Sequence, residues 1–341
     1  MAATMLHKEQ SQTGVRPFDP FHDVEAVADL IAVAFGDKLD PSGQAALVDM
    51  RRAACWGRLL WFLDSPGWGG MDQTPGFVWV EEGVVVGNVS LRRAAGWGGF
   101  LIGNVAVHPD WQGRGVGRAL MEAALEEVSA QGGHWAGLEV QSDNEVARRL
   151  YESLGFVEAG RVLHMLRSVG LFWPGGQART GEQSLRFTFR RGRGRDGEAL
   201  FELACAVVSE PQRALLEMRP KDYRLSWQRT LDLWFEGRGE AWWVIEEEGE
   251  LCGAVRVLRE RGRRPDRLEV LVSPRYEGRF EGILVHRALA GLHRVSRRMI
   301  EVFMPRPSEP LIAALESAGF QRLRMLVQMR RSAGQCVSVR S

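Results

Sequence analysis

The run Gln112-Gly-Arg-Gly-Val-Gly117 follows Leu101–Val107, which reads as a strand, and opens Gly115–Gln131, whose apolar residues Leu120, Ala124, Leu125 and Val128 fall on one helical face. Glycines let a backbone approach a ligand closely, and the first amides of a helix have no partner inside it. The helix dipole favours an anion at the same place. Together these features can cradle a pyrophosphate, with Arg114 and Arg118 adding charge. The run is neither a P-loop, since GxxxxGK is absent, nor GxGxxG, since the sixth position, counting Gly113 as the first, is Arg118. By spacing alone, a plain turn that starts a helix accounts for it equally well.

Asn144 and Tyr151 are seven residues apart, about two helical turns, so they share a face. Ser142 and Glu145 have capping-box spacing, which places the helix start beside Asn144. Glu145–Leu154 reads as that helix, and Gly155 as its stop. A tyrosine before Leu-Gly-Phe is also compatible with simple core packing. The chain has only three asparagines (Asn88, Asn104, Asn144) and three tyrosines (Tyr151, Tyr223, Tyr276), so these types fall on a motif by chance less often than common ones. The same bias leaves Lys8, Lys38 and Lys221 as the only lysines among 44 basic residues, as expected of a GC-rich genome.

The segment His108-Pro-Asp-Trp-Gln-Gly-Arg-Gly-Val-Gly-Arg-Ala-Leu-Met121 resembles the signature of the GNAT acetyltransferase superfamily, (Gln/Arg)-x-x-Gly-x-(Gly/Ala), through Gln112, Gly115 and Gly117. Asn144 to Phe156 resembles the second motif of that superfamily. The resemblance covers about residues 15–167 and is strongest over 103–156. It implies acetyl-CoA as co-substrate, with the turn Gln112, Gly113, Arg114, Gly115, Val116, Gly117 and Arg118 holding the pyrophosphate. It also implies that the backbone of Val105, Ala106 and Val107 meets the pantetheine arm and the thioester carbonyl, that Asn144 contacts the arm, and that Tyr151 stands beside the sulfur. A phenol of ordinary pKa is protonated at neutral pH and can give its proton to the leaving thiolate. Glu139 is the assigned base for the incoming amine; Glu81, Glu82, His108 and a chain of waters are the other candidates. Trp56, Trp61, Trp68 and Trp97 either line an acceptor pocket or belong to the core. The expected activity is N-acetyl transfer to an amine of a small molecule or peptide. An acyl-CoA-binding module without turnover is the alternative, as is a transferase with another acyl group or a hydroxyl acceptor.

The elements that must position these residues read as Val15–Phe18 (strand), His22–Phe35 and Gln44–Phe62 (helices), Phe77–Glu81 and Val84–Arg92 (strands around Glu82–Gly83), Trp135–Gln141 and Arg161–Arg167 (strands). This is an α/β (α+β) pattern. The second half repeats it. Val107 to Gly117 overlays Val272 to Gly282 at an offset of 165 residues, and Tyr151–Phe156 overlays Leu315–Phe320 at 164. Trp242–Glu246 and Leu251–Leu258 mirror the strand pair. The expected organisation is therefore two tandem GNAT-like domains, each a mixed, mostly antiparallel central sheet flanked by helices. In order, the expected segments are a flexible tail at 1–14, a catalytic domain at 15–167, a linker at 168–184, a degenerate domain at 185–332 and a tail at 333–341. The arrangement resembles tandem members of the superfamily such as mycothiol synthase. In the second copy Glu277, Phe280 and Glu281 replace Gln112, Gly115 and Val116, Leu315 replaces Tyr151, and Asn144 falls near Ser308. Bulk and negative charge there are expected to exclude a phosphate. The cluster Arg190–Arg195 reads as a solvated turn after a strand.

The net charge of +1 gives no field for nucleic acid or an acidic membrane. Cys55, Cys205, Cys252 and Cys336 make no zinc spacing, so no metal is expected. The start lacks an apolar signal region and no run reaches membrane-span length, which gives a cytoplasmic expectation. A monomer or weak homodimer is expected, the duplication standing in for a dimer.

Overall fold

The computed structural model describes residues 13–36, 39–56, 75–169, 187–262, 264–293 and 298–332. Residues 1–12, the tail 333–341, most of the 168–184 linker, Trp61, Trp68 and the end of the helix expected over 44–62 lie outside the described residues, and Gly14, expected in the tail, begins the first strand. The chain divides into two compact units. Unit 1 holds Met1–Glu139, Glu145–Val157 and Met329–Ser341; unit 2 holds Val140–Asn144 and Glu158–Gln328. No helix among the described residues is long and apolar enough to cross a membrane.

Unit 1 runs β1 (Gly14–Pro17), α1 (Val24–Phe35), α2 (Pro41–Trp56), β2 (Gly76–Glu81), β3 (Val84–Arg93), β4 (Phe100–Val107), α3 (Val116–Ala130), β5 (Trp135–Gln141) and α4 (Glu145–Ser153). Strands β1 to β5 are neighbours in that order, antiparallel through β4 and parallel from β4 to β5. The 3.6-residue spacing of Val24, Val27, Ala28 and Ile31 turns one face of α1 onto Val78, Val80 and Ala106 of the sheet.

Unit 2 contains β6 (Val157–Arg167), β7 (Phe187–Arg191), α5 (Gly197–Val207), α6 (Glu210–Leu215), α7 (Trp227–Phe235), β8 (Gly239–Glu247), β9 (Glu250–Arg259), β10 (Asp266–Val272), α8 (Glu281–His293), β11 (Ile300–Met304), α9 (Glu309–Ser317) and most of β12 (Gln321–Ser332). The strand order is β12-β6-β11-β10-β9-β8-β7. Strand β6 comes from the first half of the sequence yet pairs antiparallel with β11, from Leu163 opposite Met304 to Arg167 opposite Ile300. Its Leu163 and Met165 join a core with Val255, Phe280, Leu284 and Leu315.

The two halves repeat side-chain devices as well as element order. In unit 1 the Arg16 guanidinium donates two parallel bonds to buried Asp23, at 2.6 and 2.7 Å, and the Asp19 amide donates to the same carboxylate. In unit 2 Arg190 does the same to Asp196, at 2.6 and 2.8 Å, and the Arg193 amide donates to that carboxylate. Each pair fastens the first strand to the start of the first helix. The expectation that Arg190 is solvated is therefore corrected: it is nearly buried, and it also pairs with Glu246. Asp196 follows the basic run directly, but the sequence does not show the turn that brings it back onto Arg190, and Glu246 lies 56 residues away. The hydrogen bonds to Asp196 and Glu246 hold the Arg190 guanidinium above its ordinary pKa. Arg190→Ala strands Asp196 without its fork, and chemical denaturation should show a loss of roughly 2–3 kcal/mol.

Candidate active site

Strand β4 carries one irregularity that its counterpart lacks. Asn88 of β3 lies opposite Ala106, whereas Ser90 lies opposite Gly103, so β4 bulges at Asn104 and Val105. Asn104 sits in the left-handed region at φ 49°, which asparagine tolerates better than most residues. The buried Asn88 amide donates to the Asn104 carbonyl at 2.9 Å, and the Asn104 amide donates to Ser90 Oγ at 3.3 Å. The equivalent pair β9–β10 keeps a regular register, with Glu269 opposite Arg256. Both asparagines were visible only as scarce residues; their clustering in β3 and β4 was the usable signal. Asn88→Ala removes the buried donor, with an expected cost of about 1–2 kcal/mol by thermal unfolding.

Strands β4 and β5 pair only at Phe100 with Ala136 and Leu101 with Gly137. Beyond these residues they part, so the stretch with Val105, Ala106 and Val107 faces a gap. The Val107 carbonyl is taken by Gln112 Nε2 at 3.1 Å, which ties the turn to the strand end. Helix α3 presses against β3 where Gly87 leaves room: a Cβ there would meet Leu120 and Val116 at 2.8 Å. This contact sets the turn beside the gap.

The turn itself is open. The amides of Gly113, Arg114, Gly115, Val116, Gly117 and Arg118 donate to no described residue. Gly113 and Gly115 have φ of 75° and 84°, and a Cβ on either would meet nothing within 4 Å. The residues thus fit a diphosphate: consecutive donors with no described partner, a helix start, and open space beside Gly113 and Gly115. Arg114 lies over the Trp111 ring at 4.6 Å, and Arg118 donates to Ser153 Oγ at 2.8 Å.

Helix α4 starts at Glu145, so the cap position belongs to Asn144, not to Ser142. The expected capping box does not form that way: Ser142 lies in the preceding turn with its amide on the Met325 carbonyl, and the Glu145 carboxylate accepts from Arg149. Asn144 is exposed, and its backbone N–H donates to the Gln141 carbonyl at 3.0 Å. Tyr151 is the buried residue of α4, edge-on to Phe156, and its hydroxyl bonds to no described residue. Burial pushes its pKa up to about 12. The Gly155 stop has a structural cause: the Phe156 amide reaches back to the Tyr151 carbonyl and the Gly155 amide to that of Glu152. Gly319 and Phe320 reproduce both bonds after α9, which explains why this part of the motif recurs without Tyr151.

The base candidates are less convergent. Glu139 is exposed on β5. Glu81 accepts from Trp79 Nε1, Glu82 forms the β2–β3 turn at φ 48°, and His108 Nδ1 accepts from the Asp110 amide. Trp97 is half-buried in the β3–β4 connection, where its carbonyl accepts from Trp135, and Trp56 ends α2.

The turn of the second copy is closed from within. The Glu281 carboxylate accepts from the Gly278 amide at 2.8 Å and from the Phe280 amide at 3.1 Å, and the Arg279 amide goes to the Tyr276 carbonyl. Glu281 thus takes an anion's place rather than merely repelling one, and Phe280 is fully buried. Glu281→Ala should cost about 1–3 kcal/mol in thermal or chemical unfolding by leaving two amides unsatisfied, and Glu281→Gln less.

Residues 74–158 match the family model described as an acetyltransferase (GNAT) domain. Mycothiol acetyltransferase of Nocardiopsis dassonvillei is 56% identical over 52 residues, which is 15% of this chain and 16% of that protein. L-methionine sulfoximine/L-methionine sulfone acetyltransferase of Salmonella typhimurium is 30% identical over 140 residues, 37% of this chain and 80% of that protein. A tandem GNAT protein from the clavulanic acid biosynthesis pathway has the same fold, with a TM-score of 0.60 at 17% identity, over 95% of this chain and 100% of that one. The chain belongs to the GNAT acetyltransferase family, a family of acyltransferases.

Proposed function

We propose that the chain transfers an acetyl group from acetyl-CoA to the amine of a small molecule or peptide, using residues 15–167, and that residues 185–332 are a degenerate copy. One observation carries this reading: six consecutive amides, Gly113 to Arg118, have no partner among the described residues and lie beside the gap between β4 and β5. They would hold the diphosphate, the backbone of Val105–Val107 and the side chain of Asn144 would orient the pantetheine arm, and Tyr151 would face the sulfur. A relative whose name gives methionine derivatives as substrates supports a small amine acceptor.

In this reading the neutral amine nitrogen forms a bond to the thioester carbon as the carbon–sulfur bond breaks. Tyr151 gives its hydroxyl proton to the departing thiolate and regains one from solvent. Its buried phenol is a proton donor throughout the neutral range. Glu139, directly or through water, takes the proton from the amine. Holding both reactants in register contributes most of the acceleration, because the thioester is already activated. A thiol-release assay over a panel of amines tests the proposal. Amine-dependent release supports it, and acetyl-CoA binding without release to any amine would favour a sensor instead.

A further inference from the structure

Unit 2 contains a cleft of about 1020 Å³, and every residue that lines it belongs to that unit. Its origin is the divergence of β10 from β11, which pair only from Asp266 with Ile300 to Leu268 with Val302. Glu281, one of its lining residues, already fills the anion position at the start of α8. The cleft is therefore present where the diphosphate grip is not.

Its lining residues Tyr223, Arg229, Arg256 and Glu269 are joined, through Glu240 outside the lining, in a chain of hydrogen bonds and ion pairs. Arg229 Nε donates to Glu240 at 2.8 Å, Arg256 lies 2.6 Å from the other oxygen of Glu240, Arg256 Nη1 donates to Glu269 at 3.3 Å, and the Tyr223 hydroxyl donates to Glu269 at 3.1 Å. Arg256 is shared between two carboxylates and lies against the Trp242 ring. Glu269 is the more open member, with 31% of its side chain exposed against 15% for Arg256. Each Glu269 oxygen carries one protein donor and so keeps a lone pair for another. The lining thus offers an acceptor carboxylate, held by hydrogen bonds from Tyr223 and Arg256. The walls carry Val207, Leu216 and Met218, and the lining also includes Lys221, Arg224 and Arg306, three exposed cations whose side chains pair with no described residue.

We propose that this cleft binds a small amino-acid-like zwitterion with an apolar side chain, its ammonium group on Glu269 and its carboxylate towards Arg224 and Arg306. The ligand carries no phosphate, is not acetylated there, and occupies a site separate from the acetyl-CoA turn. The hydrogen-bonding direction at Glu269 selects a donor, and the unpaired cations select an anion.

Isothermal titration on the full chain, without coenzyme, tests this with three probes. L-phenylalanine should bind, L-phenylalaninamide more weakly, and N-acetyl-L-phenylalanine not at all. Glu269→Gln should weaken both binding probes by roughly tenfold or more while acetyl-CoA binding is unchanged. The paired change Arg224→Ala with Arg306→Ala should weaken L-phenylalanine and leave the amide unaffected, which keeps the test sound if Glu269→Gln unfolds the unit. The proposal is overturned if N-acetyl-L-phenylalanine binds as well as L-phenylalanine, if Glu269→Gln binds both amines unchanged, or if neither amine gives heat at ~10 mM. None of these outcomes bears on thiol release from acetyl-CoA, so failure here is distinguishable from failure of the transferase reading.

Discussion

Gly115→Phe should abolish measurable acetyl-CoA binding, lowering affinity by roughly a hundredfold or more, about 3 kcal/mol. The substitution writes into the first copy what the second already has at Phe280. Two costs combine. Gly115 has φ of 84°, where a side chain costs about 1–2 kcal/mol, so the turn would shift to relieve it. The shift would also scatter amides that must point at one diphosphate, and charge-assisted bonds of this kind contribute about 1.5–3 kcal/mol each. Gly117→Ala is the contrast: φ is not positive there, and a Cβ would meet Leu150 and Val107 at ordinary distances of 3.6 and 3.7 Å. Its affinity should stay close to that of the native chain. Titration of both variants, with thermal unfolding to separate binding from folding, checks the pair.

Tyr151→Phe should lower kcat by about two to three orders of magnitude with little change in KM for acetyl-CoA. The hydroxyl has no partner among the described residues, so its removal leaves no orphaned group and should cost little stability. The phenol's pKa, raised by burial to about 12, fixes the pH dependence. The native rate should rise with deprotonation of the amine and show no alkaline decline from Tyr151 before about pH 11. For stability the sign is opposite to that of a salt-bridged carboxylate. The folded pKa lies above the unfolded value of 10.0, so the stability contributed by keeping the proton is whole below pH 10 and is lost as pH rises to about 12. Stopped-flow single turnover, paired with pH-dependent unfolding of both chains, measures both effects. An unchanged turnover rate in Tyr151→Phe would remove the hydroxyl from the reaction.

The sequence was most legible where periodicity and glycine positions reflect local physics. The strand pair around Glu82–Gly83, the helix behind the glycine turn and the stop at Gly155 fall within a residue or two of expectation, because each follows from nearby residues alone. The duplication was legible for the same reason, since motifs tied to turns keep their spacing. Long-range pairing was not. Nothing local in Val157–Arg167 announces that this strand pairs with Ile300–Met304, nor that Arg190 reaches Glu246. The β4 bulge was equally hidden: its sign in sequence is the small change of offset between the copies, 166 residues from β3 to β9 but 165 from Val107 to Val272. That single extra residue places Asn104 in the bulge. The closing of the second turn was half legible. Charge at Glu281 argued against phosphate, but only the fold puts its carboxylate on the Gly278 and Phe280 amides.

The stoichiometry of acetyl-CoA binding to the intact chain, measured by titration with the protein concentration fixed independently, bears most directly on the difference between the two glycine turns. One equivalent per chain is the result that follows from a turn left open at Gly113–Arg118 and a turn closed by Glu281. Two equivalents, or one that persists in Gly115→Phe, would contradict it.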